Sequence, residues 1–228
     1  EEAEELILDI AKDNENITSS ESIFNKKYSF ILMLAFFIAA FNQLSGINAF
    51  LYYAPRIFEE AGLVESVALL NSVGIGLTNV IFTYLGINLI DRLGRRTLMY
   101  IGSFGYIVSL SLISLSFFLE WPGIFLPLFF FLFIASHAIG QGAIIWVYIS
   151  EIFPNHIRSY GQSFGVSTHW MLAAIIPSFI PFLFGFIGPG FVFSFFAFMM
   201  LLQLLFVHFI MPETKGISLE ELSLSLIH

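Results

Sequence analysis

The sequence predicts an all-α membrane protein built on six transmembrane helices. Three observations carry this. Hydrophobic residues make up 57% of the chain and charged residues 11%, whereas soluble proteins average roughly 25% charged. Six apolar stretches are long enough to cross a bilayer, which takes about 20 residues each. The basic residues gather in the segments that alternate connections would place on one side of a membrane.

The apolar stretches run over 28–53, 66–90, 98–119, 123–149, 161–187 and 191–211, and none contains Asp, Glu, Lys or Arg. The 29 phenylalanines fit the same class, because a ring without a polar handle suits lipid better than water. The net charge of −8 is local: eight of the 17 acids lie between Glu1 and Glu21. No basic stripe of the kind that binds nucleic acid is present. Without cysteine there are no disulfides or thiolate metal sites, and no cofactor is expected.

Orientation follows from counting Lys and Arg in short connections. Lys12, Lys26, Lys27, Arg92, Arg95, Arg96, Arg158 and Lys215 share one side, and Arg56 alone falls on the other. Both ends are therefore expected in the cytoplasm, with the protein in the plasma membrane. The expected organisation is a cytoplasmic helix and linker over 1–25, a six-helix membrane unit over 26–212, and a cytoplasmic tail over 213–228. Ala3, Leu6, Ile7, Ile10 and Ala11 recur at helical spacing, so 1–12 reads as an amphipathic helix, and 13–22 as a linker. The chain opens with acids and has no cleavable signal pattern; position 1 reads as a cut inside a longer protein.

Polar side chains in lipid are costly and normally face a bundle interior or a wet cavity. The first span carries Asn42, Gln43, Ser45 and Asn48, followed by Tyr52 and Tyr53. On a regular helix Gln43 and Asn48 would point about 140° apart. Gly46 between them can unwind the helix and bring both toward one cavity, as in the broken helices of transporters. Asn79 is a lone amide in the second span. Trp146, near the inner end of the fourth, follows Gly140 and Gly142, which leave room beside it. An indole beside amides suits a sugar, whose C–H face stacks while its hydroxyls both donate and accept.

His137, His169 and His208 lie on three separate spans, without the spacing of a helical metal motif. Gly161 and Gly165 predict close helix packing. Pro177 and Pro181 predict a kink or break in the fifth span. The third outer connection is barely longer than 188–190, as for an antiparallel hairpin; Trp121 in another is an interfacial aromatic. Ser218 and Glu221 have the form of a capping box opening a short helix. Between spans two and three, Asp91-Arg92-Leu93-Gly94-Arg95-Arg96 forms a tight charged turn suited to brace helix ends, with Glu151 and Glu213 as partners.

These residues resemble a known family. D-R-L-G-R-R at 91–96 is similar to the loop signature of the major facilitator superfamily. Q-L-S-G-I-N with Y-Y-A-P at 43–55, S-E-I-F-P with Arg158 at 150–158, His169-Trp170, and P-E-T-K-G at 212–216 narrow the resemblance to the C-terminal half of a sugar porter. It covers the whole chain. It implies one six-helix half of a twelve-helix protein that moves a monosaccharide by alternating access, with a missing N-terminal half as partner.

The resemblance implies roles residue by residue. Gln43, Asn48, Asn79 and Trp146 match sugar contacts, and Asn42, Gln141, His169 and Trp170 join them as substrate-binding candidates. Tyr52 and Tyr53 match the outer gate. Asp91, Arg92, Arg95, Arg96, Glu151 and Arg158 match the cytoplasmic salt-bridge network that secures the outward-facing state. A coupled proton, where the family uses one, is handled by an acid of the other half. Asn42 stands where a second Gln is usual, Ala138 where some glucose facilitators have a carboxylate, and Gln141, Ala143 and Ile145 where those have prolines. His169 replaces Asn or Gln, so that Gln141 and His169 are the expected compensation in hydrogen bonding. The alternative reading is a non-transporting remnant or assembly subunit. An enzyme would need a nucleophile, metal cluster or convergent acids, and the sequence offers none of them.

Overall fold

The computed structural model describes residues 22–60 and 62–227; the amphipathic helix and nearly all of the linker expected before Ser22 lie outside them. Among the described residues all regular structure is helical, and six helical units are long and apolar enough to cross a membrane. The first is α1 (Ser29–Leu44) with α2 (Ile47–Glu60), followed by α3 (Glu65–Leu93) and α4 (Arg95–Phe118). The fourth unit is α5 (Leu126–His137) and α6 (Ala143–Glu151), joined by a wide π-turn over Ala138–Gly142. Then come α7 (Arg158–Ile187), α8 (Pro189–Phe209) and a short terminal helix, α9 (Leu219–Ile227). The expected spans match these to within a few residues, except that the first runs on to Glu60.

α4 packs along most of α8, and α1 along α7. Lipid tails are as apolar as leucine, so close fit and interhelical hydrogen bonds hold such pairs. Between α4 and α8, Ser114 Oγ lies 2.9 Å from Gly190 O and 2.6 Å from Ser194 Oγ. A ring cluster fills the centre: Phe50 of α2 stacks on Phe130 of α5 at 3.9 Å, and Phe58, Phe133 and Phe193 meet these two mostly edge to face. Such geometry suits the ring quadrupole. By contrast, α3 and α7 leave much apolar surface uncovered, including Val73, Leu77 and Tyr84 on α3 and Phe179, Phe182 and Phe186 on α7.

The helix breaks sit at glycine, not proline. α7 runs unbroken from Arg158 to Ile187 through Pro177 and Pro181, so of the expected kink or break the break does not occur. The fourth span departs from helical geometry at Gly140, with φ −83° and ψ −106°. Here Gly86 of α3 and Gly102 of α4 let backbones touch: a Cβ on Gly86 would sit 2.9 Å from Ala138 O, and one on Gly102 2.8 Å from Gly140 Cα. Gly161 and Gly165 face Phe153 and Ile149, giving the close packing their spacing predicts. α7 turns into α8 through Gly188, and Glu221 N donates to Ser218 Oγ at 3.2 Å at the start of α9.

Candidate functional site

The first site forms where α1 stops. Gly46 adopts φ +80°, a left-handed conformation that costs other residues dearly, and a Cβ there would lie 2.5 Å from the Phe196 ring. The interrupted backbone ladder is repaired locally. Ser45 Oγ donates to Asn42 O at 2.6 Å and accepts from Ile47 N at 3.3 Å. Repair is obligatory in lipid, where an unpaired backbone group has no water to turn to.

The break brings Gln43 and Asn48 together. Asn48 Nδ2 donates to Gln43 Oε1 at 3.0 Å. Gln43 Nε2 donates to Asn42 Oδ1 at 3.0 Å and lies 3.3 and 3.2 Å from the two ring nitrogens of His169 on α7. Asn42 and Gln43 are almost fully buried, Asn48 half-buried. Beside them the Trp146 indole, 41% exposed, meets His169 edge to face at 4.9 Å, and Trp170 meets His169 edge to face at 5.1 Å. Five expected site residues therefore form one connected group, Asn42, Gln43, Asn48, Trp146 and His169, with Trp170 at its margin.

Beyond it, Tyr52, Tyr53 and Trp170 line a cleft of about 380 Å³ together with Ala173, Ala174, Pro177 and Ser178. Asn79 stands apart on α3, half-buried, with Thr83 Oγ1 3.5 Å from its Oδ1. Gln141 is not in the amide group. The π-turn directs it to α8, where its amide nitrogen donates to Gln203 Oε1, and Gln203 Nε2 donates to Ser103 Oγ at 2.7 Å. All three are fully buried, and Gln141 Oε1 has no partner among the described residues. The compensation expected at Gln141 is thus spent between α4 and α8, and the one at His169 is made within the group.

The second site gathers at the basic end of the bundle. Arg95 clasps Glu151 with Nε at 3.1 Å and Nη2 at 2.7 Å, a bidentate fit specific to guanidinium and carboxylate. Its Nη1 reaches Asp91 Oδ1 at 3.1 Å and Ile90 O at 3.2 Å. Thr214 Oγ1 adds 2.6 Å to Glu151 Oε2. Glu213 sits over the N-terminus of α4: it accepts from Arg95 N at 2.9 Å and Arg96 N at 3.0 Å, and from Thr214 N and Lys215 N at 3.0 Å each. Gly94, at φ +89°, permits this, since a Cβ would stand 2.6 Å from Glu213 Oε2. Arg96 caps the end of α8 by donating to the carbonyls of Val207, at 3.0 Å, and His208. Lys215 Nζ donates to Arg92 O at 2.6 Å. Among the described residues Arg158 is not joined to this network; its Nε donates to Phe153 O at 3.2 Å, and its buried Nη2 has no partner there. Glu213 is more central than the expected set allows.

The family model described as "Sugar (and other) transporter" matches residues 1–225. The chain is 35% identical over 209 residues to the arabinose-proton symporter of Bacillus subtilis, covering 91% of this chain and 45% of that protein. It is 33% identical over 198 residues to the D-xylose-proton symporter of Escherichia coli K12, covering 84% and 40%. Among solved structures it is similar to the major facilitator superfamily proton:xylose symporter XylE bound to 6-bromo-6-deoxy-D-glucose. The TM-score is 0.79 at 32% identity, over 86% of this chain and 42% of that one. The chain thus spans less than half the length of each relative, and its six membrane helices form one half of the major facilitator fold. It belongs to the sugar transporter family.

Proposed function

We propose that this chain is the C-terminal half of a transporter that moves a monosaccharide, a pentose, hexose or related polyol, by alternating access without changing it chemically. The observation that carries this is the hydrogen-bonded amide group at the Gly46 break, with the Trp146 indole exposed beside it. Amides and an aromatic face are what a polyhydroxylated ring needs, and broken helices that line a cavity recur at transporter substrate sites.

In this reading Asn48 and Asn79 bond hydroxyls, Gln43 sets the Asn48 amide that meets them, and Trp146 packs on the sugar ring. Asn42, His169 and Trp170 complete the pocket, and Gln141, bonded to Gln203, secures the π-turn that leads into α6 and Trp146. Tyr52 and Tyr53 close the outer side. Asp91, Arg92, Arg95, Arg96 and Glu151 secure the outward-facing state as one network, Arg158 adds to it from the start of α7, both ends lie in the cytoplasm, and residues 1–25 and 213–228 flank the membrane unit over 26–212. The uncovered apolar faces of α3 and α7 suit lipid and a further six-helix half. Two relatives named as proton symporters support a coupled proton.

The test is uptake of labelled pentoses, hexoses and inositol by transport-deficient cells expressing the full-length protein, with Asn48→Ala and Trp146→Ala. Saturable uptake that both well-expressed variants lose is the expected result. No uptake of any panel sugar by a correctly inserted parent overturns the sugar assignment. Uptake by the 228 residues alone overturns the reading of this chain as half a machine.

A further inference from the structure

We infer that His169 is a positioning residue whose protonation state sets the hydrogen-bond polarity that Asn48 shows to the substrate, so that sugar affinity falls when His169 becomes a cation. The inference rests on the sugar-site reading above and adds a control within it.

Gln43 has little left to offer a ligand directly. It is 1% exposed, its two N–H groups are aimed at Asn42 Oδ1 and the His169 ring, and its oxygen accepts from Asn48. The half-buried member of the chain is Asn48. Because its Nδ2 is turned inward to Gln43, the amide edge left for the cavity is led by its Oδ1, an acceptor. Which way round an amide sits follows from its partners, and here the partners form a relay: His169, Gln43, Asn48.

The His169 ring decides the sense of that relay. Gln43 Nε2 is a donor, so the ring nitrogen it bonds must carry a lone pair, which requires the neutral imidazole. An imidazolium has N–H on both nitrogens and accepts nothing. It would draw Gln43 Oε1 toward itself, swing Gln43 Nε2 toward Asn48, oblige Asn48 to answer with Oδ1, and turn the Asn42 amide so that its nitrogen donates to Gln43 Oε1. The Asn48 nitrogen would then face the cavity. One proton on α7 thereby exchanges acceptor for donor on the first span, without moving a helix.

The surroundings leave the relay to His169 alone. From α1 it faces the uncharged amides Gln43 and Asn42, from α6 the Trp146 indole, and on α7 its neighbour Trp170. Among the described residues the titratable side chain that feels its charge is His137 on α5, itself bonded to Tyr106 of α4. Among the described residues no carboxylate, lysine or arginine bonds to it. A neutral amide at 169 would keep donor and acceptor capacity and lose the switch.

Equilibrium sugar binding to the full-length transporter in detergent, followed from about pH 8 to about pH 5 where histidine titrates, tests this without the confounding of proton-coupled flux. The probes are D-xylose, L-arabinose and D-glucose, with His169→Gln and His169→Asn as two variants in case one fails to insert. The wild type is expected to lose about tenfold in affinity toward acid, the worth of one hydrogen bond to a hydroxyl. Either variant, whatever its affinity at pH 8, is expected to have lost that dependence. Retention of the wild-type profile by the variants, or a flat wild-type profile, overturns the inference and leaves the sugar reading standing. Absence of binding by every probe at every pH sinks the sugar reading and this inference with it.

Discussion

Arg95 holds both carboxylate oxygens of Glu151, at 3.1 and 2.7 Å, and so ties the start of α4 to the end of α6. Side-chain exposure is 10% for the arginine and 19% for the acid. Its other acid, Asp91, is 82% exposed.

That contrast yields a paired prediction. Glu151→Gln should destabilise the protein by about 3 kcal/mol, since breaking a buried pair strands the remaining charge. Asp91→Asn should cost no more than about 0.5 kcal/mol, as for exposed pairs. Unfolding in mixed micelles, read by circular dichroism, separates the two; equal losses would contradict the ranking.

Glu213 bonds four backbone N–H groups, two of them at the N-terminus of α4. Anionic acceptors at such a position stabilise through the unpaired amides and the helix dipole. Glu213→Ala should cost about 1–2 kcal/mol in the same assay, and Glu213→Gln less, because one acceptor oxygen survives.

Gly94→Ala should mimic that loss from the other side. It places a non-glycine at φ +89° and a Cβ 2.6 Å from Glu213 Oε2. The backbone strain alone is about 1–3 kcal/mol, and combining Gly94→Ala with Glu213→Ala should be less than additive.

Gln141→Leu should cost about 1–3 kcal/mol by leaving Gln203 Oε1 buried and unpaired. The triple change Gln141→Leu, Gln203→Leu, Ser103→Ala should recover most of that, since removing all partners together removes the unpaired groups. A triple variant weaker than the single one would show that these side chains do more than satisfy one another.

Much of this was legible in the residues. The six spans followed from length and from the exclusion of charge, and the break at Gly46 from the crowding of four polar groups around one glycine. Others were hidden for physical reasons. The prolines of α7 gave the stronger breaking signal, yet the fourth span breaks at Gly140, where facing glycines on other helices let the backbone through, and such facing is not a property of one segment. Gln203 carried an available signal, a lone amide in the sixth apolar run. Its partner Ser103 carried none, because a serine in a helix ordinarily satisfies itself on the preceding turn. Gln141 was visible as a polar residue, but which neighbour it meets depends on the extra residue that the π-turn inserts.

The clamp around Glu213 has a mechanical meaning. One carboxylate grips the first amides of α4, Arg96 grips the last carbonyls of α8, and the two helices already lie against each other along most of their length. Pinned at one end and packed along the shaft, they form a double beam that can tilt but cannot slide. Any rocking of α8 must therefore carry the 91–96 turn with it, and through Arg95 the foot of α6 on which Trp146 rides.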